Sequence, residues 1–269
     1  MSDFRLKVFQ SVAKNLSFTK ASQELFVSQP AITKHIQELE ATYQTRLFDR
    51  QGSKISLTES GRLLLEHCER ILEDYKRLEY EMHLLHNEYI GELKLGASTT
   101  IAQYVLPPLL GSFIGKFPQV NLSLLNGNSR EIEAALQEHR IDLGLVEGVF
   151  RLPNLKYTTF LEDELVAVVH SKSRLQLPEE ITPQDLPAIP LVLRERGSGT
   201  LDVIERSLQK HGVKLASLHV LMYLGSTESI KLFLENSDCM GIVSIRSICK
   251  ELAAGTFRVV EIKDMPMLR

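Results

Sequence analysis

The N-terminal stretch of the sequence lacks an apolar run: Asp3, Arg5 and Lys7 stand among the first seven residues. A secretory leader needs an apolar stretch behind its basic start, and a membrane-spanning helix needs about 20 apolar residues. We therefore expect neither a leader nor a membrane span, and we predict a cytoplasmic protein.

Cysteine is also scarce. The three cysteines, Cys68, Cys239 and Cys249, are odd in number and far apart, and none forms a Cys-x-x-Cys or Cys/His cluster with metal-ligand spacing. We expect them to be reduced and structural. No metal and no cofactor is expected.

Common catalytic motifs are missing as well. There is no HExxH, P-loop or dinucleotide fingerprint, Gly197-Ser198-Gly199 is not a GxSxG nucleophile elbow, and the eight histidines are scattered. His35 lies on the flank of a predicted helix and is expected to pack or to meet backbone. A hydrolase needs a nucleophile and a base, which this sequence does not pair. We expect no catalytic residues and no enzyme.

The charge is close to balanced, with a formal net charge of −3, which argues against nonspecific coating of nucleic acid. Its distribution is uneven. Through Thr58 there are eight Lys/Arg against five Asp/Glu, whereas residues 59–90 carry four against eight. A basic N-terminal segment followed by an acidic one predicts that the protein contacts nucleic-acid phosphate only through its N-terminal segment.

Residues 17–40 predict a short helix, a tight turn and a second helix. Ile32, Ile36 and Leu39 give the second helix one apolar face, and Ser28 before a proline is a helix-start signal, because its oxygen accepts a free backbone N–H. The other face carries side chains that reach base edges or phosphates: Ser28, Gln29, Pro30, Thr33, Lys34 and Gln37. This is helix-turn-helix geometry, although periodicity alone also fits an ordinary helical hairpin.

The ordered string of residues around this pair resembles the N-terminal signature of the LysR-type transcriptional regulators. It comprises Leu6, Phe9, Ser17-Phe18-Thr19, Ala21, Leu25, Ser28-Gln29-Pro30-Ala31, Ile36, Leu39-Glu40, Leu47-Phe48, Arg50, Leu57-Thr58 and Gly61. Ser22, Thr33 and Gln44 depart from the usual alanine, serine and glycine. The resemblance implies a sequence-specific DNA-binding regulator with a winged helix-turn-helix.

A hairpin is predicted next, because residues 47–50 and 54–57 alternate like short strands around Gln51-Gly52-Ser53. Arg50, Ser53 and Lys54 at its tip are predicted to reach phosphate or the minor groove, as the resemblance implies for a wing. The alternative is that they are simple solvated turn charges. The DNA-binding domain is predicted to span residues 1–58.

A long helix is predicted over residues 59–90, with apolar residues alternating at spacings of four and three, as in a coiled-coil seam. The predicted dimerisation residues are Leu64, Cys68, Ile71, Tyr75, Leu78, Met82 and Leu85. A core stripe within one globular domain is the competing interpretation. The resemblance implies a linker helix that pairs two chains, and paired recognition helices would read an inverted repeat.

From Gly91 onward, strands alternate with helices, which predicts mostly parallel sheets. The resemblance implies an effector-binding domain over residues 91–269 that is bilobed like periplasmic binding proteins. We assign residues 91–161 plus 265–269 to lobe I and residues 162–264 to lobe II. LysR-type proteins normally continue beyond this point with a strand and a helix that finish lobe I, so we expect a shortened lobe I. The predicted fold class is multidomain α+β.

Small hydroxyl residues stand at several predicted strand-to-helix junctions, where the carboxyl ends of parallel strands line a ligand crevice. The predicted effector-binding residues are Ser98, Thr99, Thr100, Asn128, Ser129, Glu147, Ser198, Gly199 and Thr200. Taken alone, any one of them is more often an ordinary helix cap than a ligand contact. Glu147 either selects an ammonium group or points away.

We therefore predict a LysR-type regulator that binds double-stranded operator DNA and a small, anionic effector between two lobes. An effector that bridges the lobes is expected to change their closure and, through the linker helix, the spacing of the recognition helices. A homodimer or homotetramer is expected, and RNA polymerase stays open as a further partner. The alternative is a cytoplasmic small-molecule-binding protein or a hydrolase-like enzyme with an accessory helical hairpin.

Overall fold

The computed structural model describes residues 4–51, 54–85 and 89–269. The chain forms two compact units, Met1–Ile90 and Gly91–Arg269, which we call the N-terminal and C-terminal units. Within the described residues, no helix is long and apolar enough to cross a membrane.

The N-terminal unit contains the predicted helices and hairpin. α1 spans Phe4–Asn15, α2 Phe18–Glu24 and α3 Gln29–Tyr43. β1 (Phe48–Gln51) pairs antiparallel with β2 (Lys54–Leu57), and α4 follows over Glu59–Leu85. Ser17 caps α2 by accepting a 3.2 Å hydrogen bond from the Lys20 amide. The predicted helix-turn-helix and hairpin are confirmed.

The core of this unit lies where α1, α2 and α3 meet. Ile32, Ile36 and Leu39 are buried there, as their spacing predicts. α3 ends at Gln44 in a left-handed conformation, φ 50°, and the Thr45 amide donates to Glu40 O at 3.1 Å. This is the Schellman arrangement, in which glycine is the usual residue because it adopts positive φ without strain.

α4 carries the predicted seam, but the structure corrects its beginning. Cys68 is fully buried in the core of its own unit, and its thiol donates to Leu6 O at 3.3 Å. Leu64 packs against the same core. Cys68 is therefore wrong as a dimer contact, since one chain already covers it. Burial raises the pKa of its thiol to about 11.

The rest of the seam is uncovered in a single chain. Ile71 is 41% exposed, Leu78 and Met82 are each 52% exposed, and Leu85 is 76% exposed, with Tyr75 half-buried beside them. The apolar stripe of an amphipathic helix is usually buried against the rest of its own chain or against a partner. The seam open to a second helix thus begins at Ile71.

Lobe I of the C-terminal unit is a three-stranded parallel sheet with helices. Its strands are β3 (Gly91–Ser98), β4 (Val120–Gly127) and β5 (Leu143–Leu145), in the order β4-β3-β5. A turn of π-helix at Ile101–Val105 leads into α5 (Leu106–Lys116), and α6 spans Ser129–Gln137.

Lobe II is built on a seven-stranded sheet. Its strands are β6 (Glu164–His170), β7 (Glu180–Ile181), β8 (Leu191–Arg194), β9 (Val220–Leu224), β10 (Met240–Ser244), β11 (Phe257–Ile262) and β12 (Met267–Leu268). Its α-helices are α7 (Gly199–Lys210), α8 (Thr227–Glu235) and α9 (Cys249–Ala253). The strand order is β7-β11-β6-β10-β8-β9, with β12 beside β6.

The sheet of lobe II is mixed. β8 runs parallel to both β9 and β10, whereas β6 is antiparallel to β10, β11 and β12. Met267 pairs with Leu165, so residues 265–269 extend the sheet of lobe II. Their assignment to lobe I is wrong. The parallel strands place the carboxyl end of β8 beside that of β9, where ligand crevices form in α/β sheets.

Candidate functional site

The predicted DNA-reading face of α3 is open to solvent. Ser28, Gln29, Pro30, Lys34 and Gln37 are exposed. Thr33 is half-buried, and its hydroxyl donates to Gln29 O at 3.1 Å. Ser28 stands at the helix start but makes no side-chain capping bond, which corrects that part of its predicted role and leaves its hydroxyl at the surface.

The residues around this face bear on two further predictions. His35 packs edge-on against Phe4, with ring centroids 5.4 Å apart, which confirms the expected packing role. The hairpin backbone has Gln51 opposite Lys54. Ser53 lies outside the described residues, and nothing is described of the Arg50 and Lys54 side chains. Their contacts with DNA stay predictions.

In the C-terminal unit, Ser98, Thr99 and Thr100 end β3 and begin the π-helical turn. They are 2%, 7% and 2% exposed. Within the described part of the chain, the hydroxyl oxygens of Ser98 and Thr99 have no hydrogen-bond partner. Buried polar groups are nearly always paired, so unpaired buried hydroxyls in lobe I call for an explanation such as a bound ligand.

Other predicted effector residues are already engaged. Asn128 accepts from the Glu131 amide at 3.0 Å in a capping box on α6. Ser129 donates to Glu147 O at 3.0 Å, and Ser198 accepts from the Thr200 amide at 3.2 Å. For Asn128, Ser129 and Ser198 the structure thus shows a local structural role.

The two lobes meet at Glu147 and Gly199. A Cβ placed on Gly199 would lie 2.1 Å from Glu147 O, so only glycine permits this approach. Nearby, the Arg130 amide donates to Gly197 O at 3.3 Å. The carboxyl end of β5 and the start of α7 are therefore in direct backbone contact, and this contact brings the predicted residues of the two lobes together.

Arg269 forms a hydrogen-bond network at the same contact between the two lobes. Its guanidinium donates to Glu147 Oε2 at 2.7 Å, to Thr200 Oγ1 at 2.8 Å and to Asp163 Oδ2 at 2.6 Å. Burial raises the pKa of the Glu147 carboxyl, and the Arg269 guanidinium opposes that rise. Glu147 therefore neither points away nor stands unpaired.

A second contact between the lobes lies at Tyr104. Its hydroxyl donates to the carboxylate of Glu228 on α8, and Glu228 also accepts from Lys231 Nζ at 2.9 Å. Lys231 is 7% exposed and pairs with Glu251 as well. Burial raises the pKa of Tyr104, and so does the hydrogen bond to Glu228. The lobes are thus joined at two separate places.

Arg194 is a further buried charge, and it was not among the predicted site residues. It ends β8 and is 1% exposed. Its Nε and Nη2 donate to the two carboxylate oxygens of Glu195, at 2.8 and 3.0 Å. A run of apolar residues leads directly to Arg194 in the sequence. A charged residue at the end of a strand predicted to be buried was the signal that could have identified it.

A cavity of about 480 Å³ borders Glu147 and Arg269. Apolar side chains form much of its wall, including Ile101, Val105, Leu136, Leu145 and Phe160. Its charged lining includes Arg151, Asp163 and Arg246. This volume falls in the range of small-molecule sites.

Two family matches cover nearly the whole chain. Residues 4–62 match the bacterial regulatory helix-turn-helix proteins of the lysR family, and residues 86–269 match the LysR substrate binding domain. The chain belongs to the LysR-type transcriptional regulators. It is a DNA-binding transcriptional regulator with an effector-binding domain, and the predicted family and fold class are confirmed.

Relatives of this LysR-type chain are transcriptional regulators. It is 30% identical over 264 residues to the HTH-type transcriptional regulator CysL of Bacillus subtilis, covering 98% of this chain and 87% of that protein. It is 34% identical over 265 residues to the uncharacterized HTH-type transcriptional regulator YeiE of Escherichia coli, covering 98% and 88%.

Two solved structures share the fold. Full-length CbnR complexed with its target DNA matches with a TM-score of 0.62 at 24% identity, covering 99% of this chain and 91% of that one. The Synechocystis CcmR regulatory domain in complex with 2-PG matches with a TM-score of 0.59 at 29% identity, covering 66% and 84%.

Proposed function

We propose that this LysR-type regulator reads an inverted-repeat operator as a homodimer or homotetramer and responds to a small anionic effector held between the lobes of its C-terminal unit. It acts in the cytoplasm, where it meets its DNA, and it catalyses no reaction. Each part of the proposal has its own support.

Operator reading is supported by the exposed face of α3. Gln29, Lys34 and Gln37 present amide and ammonium groups to solvent, while the opposite face is buried. Amide side chains read adenine edges, and lysine contacts guanine or phosphate. The exposed seam of α4 supports pairing, and two-fold pairing of α3 demands an inverted repeat.

The effector site is supported by one observation above others. The buried hydroxyls of Ser98 and Thr99, at the end of β3, have no partner among the described residues, and the next residue, Thr100, lines the cavity beside Glu147. Leaving a buried donor unpaired costs about 1–3 kcal/mol, and a ligand that accepts hydrogen bonds removes that cost. The related CcmR regulatory domain, solved with 2-PG, supports a small-molecule ligand in this domain.

The rival function is a small-molecule-binding protein or a hydrolase-like enzyme that uses the N-terminal unit only as an accessory. Operator selection separates the two functions. The full chain is incubated with a pool of random double-stranded DNA, and bound sequences are enriched and read. We expect an inverted repeat to emerge. If no inverted repeat is enriched at about 50 mM salt, where phosphate contacts are strong, the proposed inverted-repeat operator is refuted.

The effector is tested on the selected operator. The DNase footprint is compared with and without small oxyanions and with extracts of small metabolites. We expect at least one of them to change the footprint. A metabolite that is instead turned over by the chain would establish the enzyme.

A further inference from the structure

The two contacts between the lobes differ in how they can be broken. At the first, which we call the Arg269 contact, the guanidinium pairs with Asp163 and with Glu147, whose side chain is 6% exposed. Parting the lobes there would leave the Glu147 carboxylate buried without its cation, which is the costly way to break an ion pair. Glu147 O also lies where a Cβ on Gly199 would stand, so the two backbones are in close contact.

At the second, which we call the Tyr104 contact, both partners reach the surface. Tyr104 is half-buried, and its hydroxyl donates to the carboxylate of Glu228, whose side chain is 47% exposed. Water can therefore replace either partner when the two separate. A hydrogen bond that water can replace is broken at a much smaller cost than a buried ion pair.

Lobe II keeps a paired network when Tyr104 withdraws. Glu228 still accepts from Lys231 Nζ at 2.9 Å. Lys231 pairs with Glu251 as well and donates to Ser247 O at 3.0 Å. Lobe I adds the hydroxyl of Tyr104 and its ring, whose centroid lies 5.4 Å from Lys231 Nζ. Release of Tyr104 thus leaves no buried charge of this network unpaired.

Tyr104 stands on a segment that also borders the cavity. It lies in the turn of π-helix Ile101–Val105, and π-helical turns are rare and frequent at functional sites. Ile101 and Val105 both line the cavity of about 480 Å³. A ligand that fills this cavity therefore contacts the turn that carries Tyr104.

We propose that the Tyr104–Glu228 hydrogen bond is a releasable latch, and that the lobes open at this bond while the Arg269 contact stays closed as a pivot. This inference rests on the proposed effector-responsive function, because closure of the lobes is what an effector would control. The effector shifts the latch only as far as its affinities for the open and closed states differ. A hydrogen bond to a charged group contributes about tenfold to an equilibrium constant, so its loss should raise the open-to-closed ratio by about that factor.

The test measures opening in the full chain, without DNA and without effector. An amine-acylating reagent is added, and peptide mass spectrometry gives the rate of modification at Lys231 relative to Lys172, an exposed lysine of lobe II. Lys231 is 7% exposed, so its rate follows the population of open chains. Y104F removes the hydroxyl and keeps the ring. We expect it to raise the relative rate at Lys231 by about tenfold.

The matched control is Y157F. The Tyr157 hydroxyl donates to Glu133 Oε1 at 2.6 Å, which is the same kind of bond made within lobe I. Y157F should leave the rate at Lys231 unchanged. An equal rise in Y157F and Y104F would overturn the proposal, because it would report general loosening of the fold.

A second variant breaks the bond from lobe II. E228A alters the surroundings of Lys231 directly, so its opening is measured as the distance between spin labels on Cys249 and on S112C in α5, both exposed positions. Labelled chains are mixed with excess unlabelled chain, so that only pairs within one chain are observed. We expect longer distances in E228A and in Y104F. Distances unchanged in both variants would overturn the latch.

The operator footprint of the unchanged chain separates this inference from the proposed function. An unaltered rate at Lys231 in folded Y104F refutes the latch, even where an effector changes the footprint. A faster rate, together with a footprint that no small molecule changes, supports the latch and refutes the effector response.

Discussion

Arg269 Nη1 lies 2.7 Å from Glu147 Oε2 and 2.8 Å from Thr200 Oγ1, so one buried guanidinium joins the end of β5 in lobe I to the start of α7 in lobe II. Asp163 completes the pairing from the connection between the lobes. Two carboxylates thus pair with one cation that is 3% exposed.

Replacing Arg269 should strongly lower the free energy of unfolding. R269M leaves Glu147 buried without its cation and leaves Asp163 with the more distant Arg246, and breaking a buried pair in this way costs about 3–5 kcal/mol. The free energy of unfolding is measured by urea titration. The matched control is R246M, because Arg246 reaches the same Asp163 at 3.6 Å from a side chain that is 45% exposed. We expect R246M to lose less than about 1 kcal/mol. Equal losses would contradict the central role of Arg269.

The DNA-reading face of α3 makes a separable prediction. T33A and Q37A should relax base preference at particular operator positions, since amide and hydroxyl groups read base edges. K34A should weaken all sequences alike and reduce the salt slope of binding by about one, if Lys34 contacts phosphate. Shift assays over a salt series, on the operator and on mutated sites, measure both. Unchanged binding in all three variants would mean that a different face enters the groove.

Dimerisation through α4 is tested on its exposed seam. L78K/M82K places two charges among apolar neighbours and should convert the chain to a monomer, which sedimentation equilibrium detects. Y80K is the control, because Tyr80 is 47% exposed and lies off the seam on the same helix. A dimer that survives L78K/M82K would locate the pairing surface outside this stretch.

Gln44 offers a stabilising change. Its φ of 50° costs a side-chain-bearing residue roughly 1 kcal/mol relative to glycine, so Q44G should raise the free energy of unfolding by about 0.5–1 kcal/mol after the entropy of the unfolded glycine is counted. Q37G is the matched control: the same substitution inside α3 should destabilise by about 1 kcal/mol. The melting temperatures of both variants are measured, and a loss of stability in Q44G would contradict the strain argument.

Asp238 predicts a pH dependence. Its carboxylate accepts from the Arg174 amide at 2.7 Å and from the Ser173 hydroxyl at 3.0 Å, and these bonds lower its pKa. A depressed folded pKa contributes stability above the unfolded value of about 4, and that contribution disappears as the pH falls through the folded pKa. D238N should therefore flatten the acid limb of melting temperature against pH. D74N, at an exposed aspartate of α4, is the control for the loss of one surface carboxylate.

Long elements were predictable because they repeat a period. The hairpin predicted at residues 47–50 and 54–57 forms at Phe48–Gln51 and Lys54–Leu57, and the long helix predicted from residue 59 begins at Glu59. The two-residue strands β7 and β12 were missed, since two residues carry no periodicity and their pairing depends on distant partners. The short helix α9 was missed for the same reason of length.

The candidate site was predicted only in part. Strand-end chemistry pointed to Ser98–Thr100, Glu147 and Thr200 as candidates, because parallel strands bring their carboxyl ends to one edge. Arg194, Arg269 and Tyr104 were missed, since each acts through a partner or a crevice formed by residues far away in sequence. Cys68 was assigned to the seam because a heptad pattern shows that a position is apolar, but not whether its own domain or a second chain covers it.

The three thiols make the two units separately observable. Cys68 is buried in the N-terminal unit, Cys239 is buried in lobe II, and Cys249 is exposed. A thiolate-directed reagent should therefore label Cys249 at once, and label the other two only when their own unit opens. The labelling rates at Cys68 and Cys239 report the free energy of opening of the N-terminal and C-terminal units. A peptide map after alkylation therefore shows whether operator DNA stabilises only the N-terminal unit and effector only the C-terminal unit.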